Sequence, residues 1–178
     1  MSLMLIKNDA RQFAEQSLTN YPAPTLEEIA QAKGELAEAL PSHGMLIYNA
    51  DDRLVCKIAA GYPGRKLSFG FSTLADIRAN QVEITGEHET RFELCIGGIC
   101  RPATIPFAGS HYVMNALPAV ALAGHFNISP EETISRLEQL QQGSMRGKIL
   151  HFKEGFAIID DSYNSNPRAL QQMIEVLA

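Results

Sequence analysis

Apolar positions along this chain switch between two periods, and the switches outline its elements. Leu26, Ile29, Leu36 and Leu40 recur at helical spacings along one face of a 3.6-residue repeat. Thr25 and Glu28 stand where a capping box opens such a helix, and Pro41 and Gly44 end it. The run Met45-Leu46-Ile47-Tyr48 predicts a short buried strand closed by Asn49-Ala50-Asp51-Asp52, a strand-end turn. A second helix is predicted over residues 54–60 and another strand over 66–71. Ahead of these, residues 5–20 carry Phe13, Ala14 and Leu18 at rough helical spacing and predict a short helix, which Pro22 and Pro24 break.

The period shortens to two after Phe71. Residues 77–85 and 91–96 alternate like strands, and Gly97-Gly98 predicts a two-residue hairpin into a partner over 101–107. Residues 67–108 therefore read as a mostly antiparallel patch set into an α/β chain. Helical texture returns at His111 and runs over 113–122, where Pro118 interrupts it. Ser129-Pro130-Glu131-Glu132 reads as a second capping box, followed by an apolar face of Ile134, Leu137 and Leu140 and a stop at Gly143. Residues 148–152 and 156–159 predict a strand pair, and Asn166-Pro167 opens a last helix. Ala178 falls inside that helix, so the chain reads as cut. Met1-Ser2-Leu3 precede a second methionine and read as appended residues.

With 178 residues, 46% hydrophobic and 20% charged, the chain has the balance of one globular domain or slightly more. No apolar run is long enough to span a bilayer. A net charge of −5 argues against nucleic-acid binding through bulk charge, while leaving room for a nucleotide pocket. The three cysteines, Cys56, Cys95 and Cys100, match neither a disulfide framework nor a zinc pattern. Cys95 and Cys100 could face each other across the hairpin, and they are expected as thiols in a reducing cytosol.

Four positions could carry chemistry. Lys33 falls on the apolar stripe of the first helix, where it must snorkel, pair with an acid or lose its charge. A neutral amine there could take up carbon dioxide as a carbamate, an anionic metal ligand. Asn115 sits among apolar residues of a helix expected to be buried, and its carboxamide suits an adenine edge or a neighbouring protein group. Arg146 is either a surface cation or a phosphate contact. Asp161 follows the apolar run Ile158-Ile159 at a strand end, where ligands collect in α/β folds. Asp160 through Asn166 also reads simply as a turn with an Asn cap. His111 reads as structural. No G-x-x-x-x-G-K-[ST] phosphate loop occurs in the sequence.

The ordered set Ile29 through Glu35, Asn49 through Asp52, Gly109 through Leu117, Met145-Arg146 and Asp160 through Pro167 resembles the Mur ligases over residues 25–178. Tyr163-Asn164 and Asn166-Pro167 point to the branch that adds D-alanyl-D-alanine. The resemblance implies a partial central ATPase-like α/β domain over residues 4–144 and the beginning of a Rossmann-like C-terminal domain over 145–178. It implies ATP and magnesium as cofactors, a nucleotide and a UDP-muramoyl peptide as partners, peptidoglycan synthesis as pathway and a cytoplasmic location. Lys33 then matches a carbamylated, magnesium-holding lysine, Asn115 the adenine contact, Asp161 the ribose-binding acid and Arg146 a nucleotide-binding arginine. Without the phosphate loop the chain is expected to be inactive alone, either as a fragment of the amide-forming ligase or as a noncatalytic interaction or regulatory remnant.

Overall fold

A computed structural model describes residues 3–6, 25–86, 88–141, 148–160 and Ile174. Its centre is a six-stranded sheet in the order β1-β2-β3-β4-β5-β6. The strands are β1 (Leu3–Ile6), β2 (Met45–Asn49), β3 (Arg65–Gly70), β4 (Ile77–Ile84), β5 (Thr90–Ile96) and β6 (Ile99–Ile105). Helices α1 (Leu26–Glu38), α2 (Arg53–Gly61), α3 (Ser110–His125) and α4 (Pro130–Glu138) join or follow them. A separate two-stranded antiparallel sheet pairs β7 (Lys148–His151) with β8 (Ala157–Asp160).

Side-chain alternation on β2 decides the layering. Met45 and Ile47 enter a core shared with α3 and α4, whereas Leu46 and Tyr48 enter a second core shared with α2 and the end of α1. The sheet is thus covered on both faces, as its parallel half requires. The larger core holds Phe69, Leu94, Ile105, Val113 and Leu117, all at most 2% exposed.

Parallel pairing runs from β1 through β4, and only β4-β5-β6 is antiparallel. The expected antiparallel patch therefore begins at Ile77 rather than at residue 67. β3 and β4 pair through Phe69–Ile77 and Gly70–Arg78 alone, so a short loop suffices where a full parallel crossover would need a helix. Leu3 and Met4 belong to edge strand β1, paired with Met45 and Leu46, so the sheet includes Leu3. Leu5 and Ile6 extend that strand, and the rest of the predicted 5–20 helix lies outside the described residues. So do the stop at Gly143 and, apart from helical Ile174, the last helix.

The first capping box forms as predicted. Glu28 N–H donates to Thr25 Oγ1 at 3.2 Å, and Thr25 N–H donates to Glu28 Oε2 at 2.7 Å. These bonds hold the Glu28 carboxyl below the usual carboxylate range, the backbone bond contributing most. The second box is half formed. Glu132 N–H donates to Ser129 Oγ at 3.1 Å, but the Glu132 carboxylate accepts from Arg136 instead of reaching back. Pro118 does not interrupt α3, which runs through it with the ring buried. The lost hydrogen bond is outweighed there by apolar burial against the sheet. No helix among the described residues is long and apolar enough to cross a membrane.

Candidate functional site

The carboxyl ends of β2 and β3 lie side by side, and the residues that follow them are polar. Asn49 Oδ1 accepts the Asp51 N–H at 2.9 Å, an Asx turn that swings the Asp51 carboxylate toward β3. Asp51 then accepts from Phe71 N–H at 2.7 Å and from Ser72 N–H at 2.9 Å. A Cβ on Gly70 would lie 2.7 Å from Asp51 Oδ1, so glycine is what admits the carboxylate. Asp52 caps α2, accepting from Leu54 N–H at 2.8 Å and Val55 N–H at 3.1 Å. The two adjacent acids thus have separate duties, one to the β3–β4 loop and one to a helix, in keeping with the strand-end turn read from sequence.

Asp76 closes the same loop from its other end. Its carboxylate accepts from Ser68 N–H and Ser68 Oγ at 2.8 and 2.6 Å, and its own N–H donates to Ser68 Oγ at 3.0 Å. Cys56 stands behind the turn with its Sγ 3.3 Å from Ala50 O. Burial pushes its thiol up, and the nearby carboxylates of Asp52 and Asp51 push it the same way.

Lys33 is half-buried on α1 and engaged by a neighbouring group. It stands between Ile29 and Ala37, which are 7% and 4% exposed, whereas Leu26 and Leu36 point outward at 60% and 54%. The buried stripe is therefore Ile29, Lys33, Ala37 and Leu40. It rotates away from Leu36 because α1 approaches α2 through small residues; a Cβ on Gly34 would lie 3.9 Å from Ile58. A cavity of about 610 Å³ between these helices is lined by Ala30, Gly34, Ala37, Lys57, Ile58 and Tyr62, but not by Lys33.

Asn115 is exposed on α3, contrary to the buried setting expected from its apolar neighbours. Ala116, Leu117, Val113 and Val120 take the inward face, and Asn115 is left on the outer one. Thr90, fully buried at the start of β5, sets where this helix begins. Its hydroxyl donates to Phe107 O at 2.7 Å and accepts Gly109 N–H at 2.9 Å. Gly109 has φ 132°, and an added Cβ would strike the His111 ring at 2.6 Å. His111 packs on Tyr112 with ring centroids 4.1 Å apart, in line with the structural role read for it.

The helices that carry Lys33 and Asn115, α1 and α3, cover opposite faces of the sheet, and neither residue lines the cavity between α1 and α2. Arg146 and Asp161 lie outside the described residues. Sequence reasoning missed Thr90, Gly70 and Asp76. Thr90 was readable, since it precedes Phe92 and Leu94 in the same inward alternation. Gly70 and Asp76 gave no local signal, because their partners are remote in sequence.

The cysteine reading requires correction. Cys95 and Cys100 form a disulfide. The hairpin register sets them directly opposite, with Cα atoms 4.0 Å apart. Among the described residues, the three metal-capable groups that converge are Glu93, Cys95 and Cys100. Two sulfurs and one carboxylate do not suit magnesium, which prefers oxygen donors. That cluster is therefore not a magnesium site, and no chemical step is routed through it.

Residues 22–123 match the Mur ligase middle domain. The chain belongs to the Mur ligase family. It is 33% identical over 150 residues to the UDP-N-acetylmuramoyl-tripeptide–D-alanyl-D-alanine ligase of Bacillus subtilis, covering 84% of this chain and 32% of that enzyme. In three dimensions it resembles MurF from Acinetobacter baumannii, with a TM-score of 0.75, 29% identity, and coverage of 85% of this chain and 33% of that one. MurF from Thermotoga maritima, solved in complex with ADP, shares the fold with a TM-score of 0.74 at 22% identity, covering 86% of this chain and 35% of that one. The Mur ligase chain thus spans about a third of the relatives it matches. Its six-stranded α/β sheet, with the antiparallel β4–β6 patch, is the family's central-domain fold.

Proposed function

We propose that this chain is the middle-domain part of an ATP-dependent amide-forming ligase that adds D-alanyl-D-alanine to the UDP-muramoyl tripeptide in peptidoglycan synthesis. The similarity to D-alanyl-D-alanine ligases across most of its length carries this reading. Residues 4–144 form the partial central domain and 145–178 begin the C-terminal one. Asn115, exposed on α3, offers one acceptor and two donors to an adenine edge. Asp161 receives the ribose hydroxyls and Arg146 a phosphate. Lys33, once carbamylated, offers an anionic oxygen to magnesium. ATP and a UDP-linked substrate place the reaction in the cytoplasm. Alone the chain turns nothing over, because no phosphate-loop motif holds the γ-phosphate.

The absent motif equally favours a second reading, a noncatalytic interaction or regulatory remnant of the same fold. A chimera separates the two. Residues 25–160 replace the matching segment of the Bacillus subtilis enzyme, and ADP release is measured with D-alanyl-D-alanine and the muramoyl tripeptide. The ligase reading predicts turnover, lowered at least about tenfold by Lys33→Ala. Asn115→Ala should raise KM for ATP about tenfold, the worth of one to two hydrogen bonds. A folded chimera without turnover supports the remnant, and turnover indifferent to Lys33→Ala removes that residue's role.

A further inference from the structure

We infer that the Cys95–Cys100 pair is a thiol–disulfide exchange site at which low-molecular-weight thiols form a mixed disulfide with Cys100. Its two sulfurs differ sharply in access. Cys95 is 2% exposed, whereas Cys100 is exposed at the start of β6. An incoming thiolate therefore meets Cys100 Sγ, and Cys95 is the leaving group.

The neighbours of Cys95 suit that role. Asn80 Nδ2 donates to Cys95 Sγ at 3.3 Å. Arg78 stands directly opposite Cys95 in the β4–β5 register, with Nε buried and unpartnered among the described residues and Nη1 bonded to Thr73 O. The Asn80 donor favours the departing thiolate by stabilising its negative charge, and Arg78 adds a cation to the same face of the strand pair. While disulfide-bonded the two sulfurs offer no thiolate to a metal ion, although Glu93 also lies within reach. The bond spans only a two-glycine turn that the hairpin already closes, so it restricts the unfolded chain less than a long-range bridge would.

The exchange balances. A thiolate RS⁻ attacks Cys100 Sγ, the Sγ–Sγ bond breaks, and Cys95 departs as a thiolate that takes up a proton. A second RS⁻ attacks the sulfur of the bound R group, releasing RSSR and the Cys100 thiol. Two thiols are oxidised to RSSR while the protein disulfide is reduced to a dithiol. Ile96, Gly97 and Gly98 from this hairpin line a cavity of about 670 Å³ against Val120, Gly124 and Thr133, and neither Cys95 nor Cys100 lines it. Cys56 stands apart on α2 and serves as an internal control.

The test incubates the folded chain at graded ratios of reduced to oxidised glutathione, quenches with acid, alkylates free thiols and maps peptides by mass. The wild type should pass reversibly between disulfide and dithiol, with its glutathione adduct on Cys100. Cys95→Ala should accumulate the Cys100 adduct at least tenfold faster than Cys100→Ala accumulates one on Cys95. If Cys95→Ala fails to fold, the wild-type adduct position decides. A pair that stays oxidised, or stays reduced, at every ratio would overturn the inference. So would adducts divided evenly between Cys95 and Cys100.

Discussion

At the residue scale, a few short polar contacts hold the strand-end region. Asp51 joins the end of β2 to the β3–β4 loop only because Gly70 leaves it room. Gly70→Ala should displace the carboxylate and lower stability by about 1–3 kcal/mol, measured by urea denaturation. Thr25→Ala removes the α1 cap and should cost about 1 kcal/mol in the same assay. Glu28 adds a pH dependence. Its carboxyl is held below its unfolded value, so its stabilisation is present above that value and is lost as pH falls through the lower, folded one. The stability difference between wild type and Glu28→Gln should be full at pH 7 and vanish in strong acid, as followed by circular dichroism.

At the scale of elements, Thr90 links the antiparallel patch to α3. Thr90→Val leaves the Phe107 carbonyl and the buried Gly109 N–H without their partner, which should cost about 2–3 kcal/mol in chemical denaturation. Most elements were legible because their signals are local. The Thr25 box, the Gly97-Gly98 turn and the strand pair over 148–152 and 156–159 all rest on residues a few positions apart. Errors arose where tertiary burial prevailed. α3 absorbs Pro118 because the sheet buries that turn, and α1 rotates off Leu36 because Gly34 and Ala37 admit α2. The parallel pairing of β3 with β4 left no trace in the alternation, since it depends on neighbours distant in sequence.

At the scale of the whole molecule, the two-faced sheet sets what this chain can assemble. Motif order identified the family, because order along the chain is a property of sequence. The convergence of side chains on a nucleotide was not legible. It depends on how elements far apart in sequence meet the sheet, whose two faces are covered by α1 and α3. A Mur ligase middle-domain fold in a sequence without a phosphate-loop motif separates family membership from turnover. The direct measurement is ADP release by this chain alone, given ATP, magnesium, D-alanyl-D-alanine and the UDP-muramoyl tripeptide, with the Bacillus subtilis ligase assayed in parallel. Release is expected from the Bacillus enzyme and none from this chain above the uncatalysed background. Substrate-dependent ADP release by this chain would contradict it.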